Sequence, residues 1–176
     1  MKHSSVRKLV ISALMLALCL VLPFLTGQIP EIGSMLCPMH IPVLLCGFVC
    51  GPVWALVVGA VAPALRYVLF SMPPIYPVGL AMCFELAAYG LFSGLLYKAL
   101  PKKPWGVYVS LLVAMVLGRV VWGVVRAVIS GVGGAAFSWQ LFIAGGFTQA
   151  IPGIILHIVL IPILVLALRR AKLIEA

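Results

Sequence analysis

Acidic residues are almost absent from this sequence, since Asp and Glu together number 3 among 176 residues. Only Glu85 lies within strongly apolar sequence, so no second carboxylate is available there to complete a general acid and base pair. Cys46 and Cys50 stand four residues apart in an apolar run, with no His or carboxylate at ligand spacing. These absences exclude catalysis by paired carboxylates and predict a chain without a metal site or a cofactor.

The common nucleotide-binding and hydrolase motifs are also missing. The sequence contains no G-x-x-x-x-G-K-[ST] loop, no H-E-x-x-H and no G-x-S-x-G. The chain is therefore predicted not to be an enzyme and not to bind ATP through such a loop. If it moves a solute energetically uphill, the energy must come from a partner or from an ion gradient.

Charged residues make up only 9% of the chain, whereas 65% of its residues are hydrophobic. This balance is not that of a soluble domain, and the long apolar runs indicate an integral membrane protein in contact with the lipid bilayer. The net charge of +9 raises the alternative of nucleic-acid binding. The basic residues flank apolar segments, however, so the positive-inside rule explains them and no nucleic-acid partner is predicted.

Six apolar segments approach the length of about 20 residues that a spanning helix needs. They cover residues 9–25, 35–50, 53–70, 77–97, 105–130 and 139–168, of which the second is short. The first resembles a signal peptide, but its apolar run is long and further spans follow, which favours a retained helix. Gly51-Pro52 separates the second segment from the third, because proline cannot continue a helix.

The distribution of Lys and Arg predicts the topology. Basic patches occur at the start of the chain, between the fourth and fifth segments and at the tail, whereas the loops at 26–37, 71–77 and 131–138 contain neither Lys nor Arg. Six crossings place all three patches on one side of the membrane. We therefore predict one all-α domain over residues 1–176, with six transmembrane helices and both termini cytoplasmic.

A few polar residues lie inside the apolar segments, where ionisable groups are costly and usually functional. Glu85 is about 8 residues from the outer end of its helix, or roughly 12 Å deep at 1.5 Å per residue. Arg119, Arg126 and Gln149 also fall in the outer half, and Arg66 lies near the outer end of the third helix. These residues are predicted to line one outward-facing pocket.

Aromatic and histidine side chains complete the candidate set. Trp122 shares a helical face with Arg119 and Arg126, and Tyr76 and Tyr89 could supply pocket walls with polar tips. His40 heads the second helix, either as a helix-start residue at the outer surface or as a ligand contact. His157 is interpreted as a packed helix contact towards the cytoplasmic half.

The charges allow two interpretations. Glu85 and Arg119 could simply form a buried structural ion pair. Three arginines against one glutamate nevertheless leave an excess of positive charge, and Arg binds carboxylates through a planar fork. The pocket is therefore predicted to prefer a small anionic or strongly polar solute.

Two pairs of small residues have the spacing that lets membrane helices approach closely. Ala13 and Ala17 form such a pair in the cytoplasmic half of the first helix. Gly90 and Gly94 form another on the fourth helix, where they are expected to serve internal packing.

Several of these segments resemble the substrate-binding S components of energy-coupling factor (ECF) transporters. The resemblance is carried by residues 39–52 (MHIPVLLCGFVCGP), 72–74 (MPP), 81–90 (AMCFELAAYG) and 152–153 (PG), and it extends over nearly the whole chain. The short apolar stretch of the second helix departs from the family pattern.

The resemblance implies a protein of the prokaryotic plasma membrane that binds a water-soluble vitamin from outside. It would dock, through Ala13 and Ala17, on a transmembrane coupling protein (T component) driven by two ATPases. Among carboxylate vitamins pantothenate fits best, because Glu85 and Gln149 could meet its hydroxyl and amide groups. Folate, niacin, riboflavin, a thiamine precursor and a queuosine precursor stay open, as do an intramembrane enzyme and a structural protein.

Overall fold

The computed structural model describes residues 2–26, 30–132 and 150–171, and all regular structure within these ranges is helical. This confirms the predicted all-α class. The helices are α1 (Lys2–Val21), α2 (Pro30–Leu36), α3 (His40–Val49), α4 (Pro52–Phe70), α5 (Leu80–Ala99), α6 (Pro104–Val132) and α7 (Ile151–Arg170), with a short 3-10 segment at Leu22–Thr26.

Five of the described helical segments are long and apolar enough to cross a membrane, and α3 is a shorter apolar helix. The protein is therefore a multi-pass membrane protein, with five long apolar helices and one shorter apolar helix in the part of the chain that the structure describes. The second predicted segment is not continuous, because the turn at residues 37–39 separates α2 from α3. The last helix begins at Ile151 rather than at residue 139, and residues 139–149 lie outside the described ranges.

Contacts between helix ends agree with the predicted alternation of the chain across the bilayer. At one end, Arg66 of α4 donates a hydrogen bond to the Leu20 carbonyl of α1. At the other end, Lys98 of α5 lies beside Gly51, and Lys102 donates to the Tyr97 carbonyl. The lysine-bearing end is the one assigned to the cytoplasm by the positive-inside rule.

Glycines let α4 and α5 pack with their backbones close together. A Cβ atom on Gly90 would collide with the Ala55 carbonyl, and one on Gly94 would collide with the backbone of Pro52. The predicted packing role of this pair is confirmed. Because larger residues here would force the helices apart, the glycines fix the position of α5, the helix that carries Glu85.

The junction between α3 and α4 depends on one glycine. Gly51 has φ of +96°, a backbone conformation that L side chains rarely adopt, and Pro52 then occupies the first turn of α4. The chain can therefore reverse within a single residue, which keeps the short helix α3 packed against α4 and α5 in the core.

Candidate functional site

The centre of the site is an ion pair between α5 and α6. Arg119 Nη1 lies 2.9 Å from Glu85 Oε1, and the two side chains are only 10% and 2% exposed. Glu85 stands in the second turn of α5, and Arg119 lies past the middle of α6. Sequence analysis placed both residues in the outer half of the membrane and gave an ion pair between them as one interpretation, and the structure brings them into contact.

His40, the first residue of α3, joins this pair. Its Nε2 lies 3.5 Å from Glu85 Oε1, and its ring makes an edge contact with Tyr89 at a centroid distance of 5.0 Å. His40 is only 4% exposed. His40 starts a helix, as one of its two interpretations predicted, but its predicted position at the outer surface is wrong, because the break between α2 and α3 places the start of α3 inside the protein.

His157 of α7 lies next to His40, with the two rings stacked at a centroid distance of 6.0 Å. The His157 ring also hydrogen-bonds the backbone of Cys37. Because α7 begins only at Ile151, His157 is in its second turn, so the expectation that it lies towards the cytoplasmic half is wrong. Its assignment as a buried helix contact is correct, since it is 3% exposed.

Cys37 lies in the turn between α2 and α3 and was missed by sequence reasoning. The Arg119 Nη2 donates to its Sγ at 3.7 Å, and its backbone has φ of +47°. The turn is held against α7, because a Cβ atom on Gly153 would collide with the backbone of Met35 and Leu36. A positive-φ residue between two short helices gave no chemical signal in the sequence.

Tyr89 lies one helical turn after Glu85 on α5, at the inner side of the site. The Tyr89 side chain hydrogen-bonds Glu85, and its ring is 2% exposed. The ring lies directly against Gly118 of α6, where a Cβ atom would collide with it. We refer to His40, Glu85, Tyr89, Arg119 and His157 as the outer cluster.

The outer cluster contains polar atoms without hydrogen-bond partners among the described residues. These atoms belong to the two histidine rings, the Glu85 carboxylate and the Arg119 guanidinium. They are His40 Nδ1 and Nε2, Glu85 Oε1, Arg119 Nε and His157 Nε2. The Glu85–Arg119 contact is thus an ion pair without good hydrogen-bond geometry at Oε1. Buried polar groups in native proteins normally have partners, so these atoms are available to hydrogen-bond a further polar molecule.

Arg126 and Trp122 extend the same face of α6 outwards from the outer cluster. The Arg126 guanidinium carbon lies 6.0 Å from the centroid of the Trp122 ring, and both side chains are half-buried. Arg126 follows Arg119 by two turns, or roughly 10.5 Å along the helix. Among the described side chains no ion pair involves Arg126.

Two predicted site residues, Arg66 and Tyr76, are not brought to the outer cluster, and a third lies outside the described residues. Arg66 donates to the Leu20 carbonyl at 2.6 Å and lies over the rings of Phe24 and Phe70, so it joins α4 to the end of α1. Tyr76 is 58% exposed in the turn before α5. Gln149 lies outside the described residues.

The predicted docking pair is on the surface. Ala13 and Ala17 of α1 are both exposed, and they share one helical face with Val6 and Val10, which are 59% and 62% exposed. In the described part of the chain, no three His, Cys, Asp or Glu side chains are placed to hold a metal ion.

A family model described as ECF transporter, substrate-specific component, matches residues 7–165 of the chain. No curated protein and no solved structure matches it. The match includes every residue of the outer cluster, together with Arg126 and the Ala13–Ala17 pair.

Proposed function

Because the chain belongs to the family of substrate-specific components of ECF transporters, which are binding subunits for transport and not enzymes, we propose that it captures a water-soluble vitamin at the outer cluster. Components of this family bind small-molecule substrates and work with a T component and ATPases. The best candidate for the vitamin is pantothenate.

The observation that carries the proposal is the burial of the Glu85–Arg119 ion pair beside histidine nitrogens that have no hydrogen-bond partner in the described part of the chain. An unpaired buried polar group costs about 1–3 kcal/mol. Several such groups in one place, contributed by α3, α5, α6 and α7, would be an unfavourable core. They are the expected lining of a binding site, where ligand atoms complete the hydrogen bonds.

The charges favour a ligand with a carboxylate. Glu85 offsets the charge of Arg119, and Arg66 is engaged with α1, so the excess positive charge on this face of α6 comes from Arg126. We propose that Arg126 receives the carboxylate beside the Trp122 ring. The hydroxyl and amide groups of pantothenate would then meet Arg119, Glu85 and Gln149.

Delivery is proposed to follow the docking of α1 on a T component that carries two ATPases, in the plasma membrane of a prokaryote. Ala13 and Ala17 provide an exposed, small-residue surface for that contact. Folate, niacin, riboflavin, a thiamine precursor and a queuosine precursor are the alternative substrates.

The direct test is calorimetry with the purified protein in detergent, titrated with each of these vitamins. We expect a sub-micromolar dissociation constant for one of them, with pantothenate first. Mass spectrometry of small molecules carried through purification identifies the ligand independently. If no vitamin binds and none co-purifies, the proposed function is refuted.

A further inference from the structure

We propose that His40 and His157 present two hydrogen-bond acceptors to the ligand, so that tight binding requires a ligand with N–H or O–H donors as well as an anionic or carbonyl group. This inference rests on the proposed function and deepens it by defining the chemical class of the substrate. It concerns a pair of buried rings that neither the charge pattern nor the spacing of the sequence identified as a unit.

The orientation of His157 follows from its backbone contact. A neutral imidazole has one donor nitrogen and one acceptor nitrogen. The contact of the His157 ring with the Cys37 backbone uses the donor, because a carbonyl oxygen can only accept. The nitrogen without a partner is Nε2, and it is therefore the acceptor.

The orientation of His40 follows from Glu85. Paired with the Arg119 guanidinium at 2.9 Å, the Glu85 carboxylate accepts hydrogen bonds. His40 Nε2 lies 3.5 Å from that oxygen, so a proton on Nε2 faces an acceptor. His40 Nδ1, which has no partner among the described residues, is then the second acceptor.

The two acceptors belong to rings that are stacked at 6.0 Å and are each less than 5% exposed. A ligand without N–H or O–H groups would leave both nitrogens buried and unpaired. The loss of such a hydrogen bond discriminates strongly between related ligands, because the protein group has no water to replace the missing partner. Arg119 Nε, a donor without a partner, offers the complementary contact for a ligand oxygen.

The two acceptor nitrogens should distinguish candidate vitamins that carry N–H or O–H donors from nicotinate, which does not. Pantothenate carries hydroxyl groups, an amide N–H and a carboxylate. Riboflavin and folate also carry donors. Nicotinate carries a carboxylate and a ring nitrogen that only accepts, so it satisfies Arg126 but neither histidine. It is expected to bind at least about tenfold more weakly than the preferred vitamin, which corresponds to one buried hydrogen bond.

The experiment combines ligand and protein variants. Wild-type protein is titrated by calorimetry with pantothenate, riboflavin, folate and nicotinate. The tightest binder is then titrated against His157→Asn and His157→Gln, with thermal unfolding of each variant as a folding control. Asn keeps an amide N–H near the Cys37 carbonyl but removes the acceptor at Nε2, whereas Gln places an amide oxygen near the Nε2 position.

We expect His157→Asn to weaken binding about tenfold and His157→Gln to weaken it about threefold or less. Sub-micromolar binding of nicotinate, or unchanged affinity in folded His157→Asn, would disprove that the two histidines act as acceptors for the ligand. Either result would leave the proposal of vitamin binding intact. If neither variant folds, the ranking of nicotinate against the donor-bearing vitamins on the wild type decides. If the wild type binds none of these vitamins, both the proposed function and the proposed role of the two histidines are refuted.

Discussion

Arg119 of α6 and Glu85 of α5 form an ion pair at 2.9 Å in a place where neither side chain is more than 10% exposed. Buried ion pairs are weak evidence for stability, because the cost of removing two charges from water can exceed their attraction. The proposed function therefore assigns this pair to binding rather than to folding. This distinction can be tested, because the two explanations differ when both charges are removed together.

We expect Glu85→Leu alone to destabilise the protein by about 3–5 kcal/mol, because it leaves the Arg119 guanidinium buried without an opposite charge. The double variant Glu85→Leu/Arg119→Met should recover most of that loss, since no charge remains. Thermal unfolding in detergent measures both effects. Vitamin binding should be absent from the double variant. A stable double variant with wild-type affinity would show that the pair is only structural.

Arg126→Ala is expected to weaken vitamin binding by about 1–3 kcal/mol, the range for a hydrogen bond to a charged group. Arg126→Lys should lose less, because it retains the charge but not the planar fork. Val124→Ala provides a matched control on an exposed position of the same helix. Calorimetry against pantothenate gives the three dissociation constants. Equal affinity in Arg126→Ala and wild type would remove Arg126 from the site.

For Arg66→Gln, we expect a loss of stability of about 1–3 kcal/mol, because the change removes a charged donor from the Leu20 carbonyl. Vitamin affinity should stay within about twofold of wild type, which is less than 0.5 kcal/mol. Arg66→Lys, which keeps a cationic donor, should be less destabilised. A tenfold loss of vitamin affinity in a folded Arg66 variant would instead show that Arg66 belongs to the ligand site, as the sequence suggested.

Ala13→Trp and Ala17→Trp should abolish vitamin uptake in cells that express the complete transporter, because a large side chain blocks close helix contact. Binding by the purified subunit should be unchanged, since both positions are exposed and outside the outer cluster. Val116→Trp, at a position of α6 that is 57% exposed, is the matched control and should transport normally. Uptake by both alanine variants at the control rate would disprove docking through this face.

Sequence reasoning predicted the helical class and the main spans because hydropathy depends on local composition. It also paired Glu85 with Arg119, since charged residues in apolar helices are few and their depths can be counted along the chain. The packing role of Gly90 and Gly94 was also predictable, because small residues at this helical spacing let two membrane helices approach closely.

The parts that sequence reasoning missed depend on which helix faces meet. The turn at Cys37 falls where the predicted loop 26–37 and the predicted segment 35–50 overlap, so hydropathy did not separate α2 from α3. His157 was placed too deep because the last apolar segment was taken to begin at residue 139, although Pro152 stands in the first turn of α7. Arg66 has the same charge as Arg119, and only the positions of Leu20, Phe24 and Phe70 in space show that it serves the end of α1.

Because α3 is short, the turn that precedes it lies deep in the membrane. Its 10 residues extend for about 15 Å, which is half of a hydrocarbon layer of about 30 Å. The backbone of the turn before it must then lie at mid-membrane depth, where irregular structure is tolerated only under a cover of protein or beside a hydrated recess. Cys37 and Met39 of this turn are buried, so the turn is covered by protein at that depth.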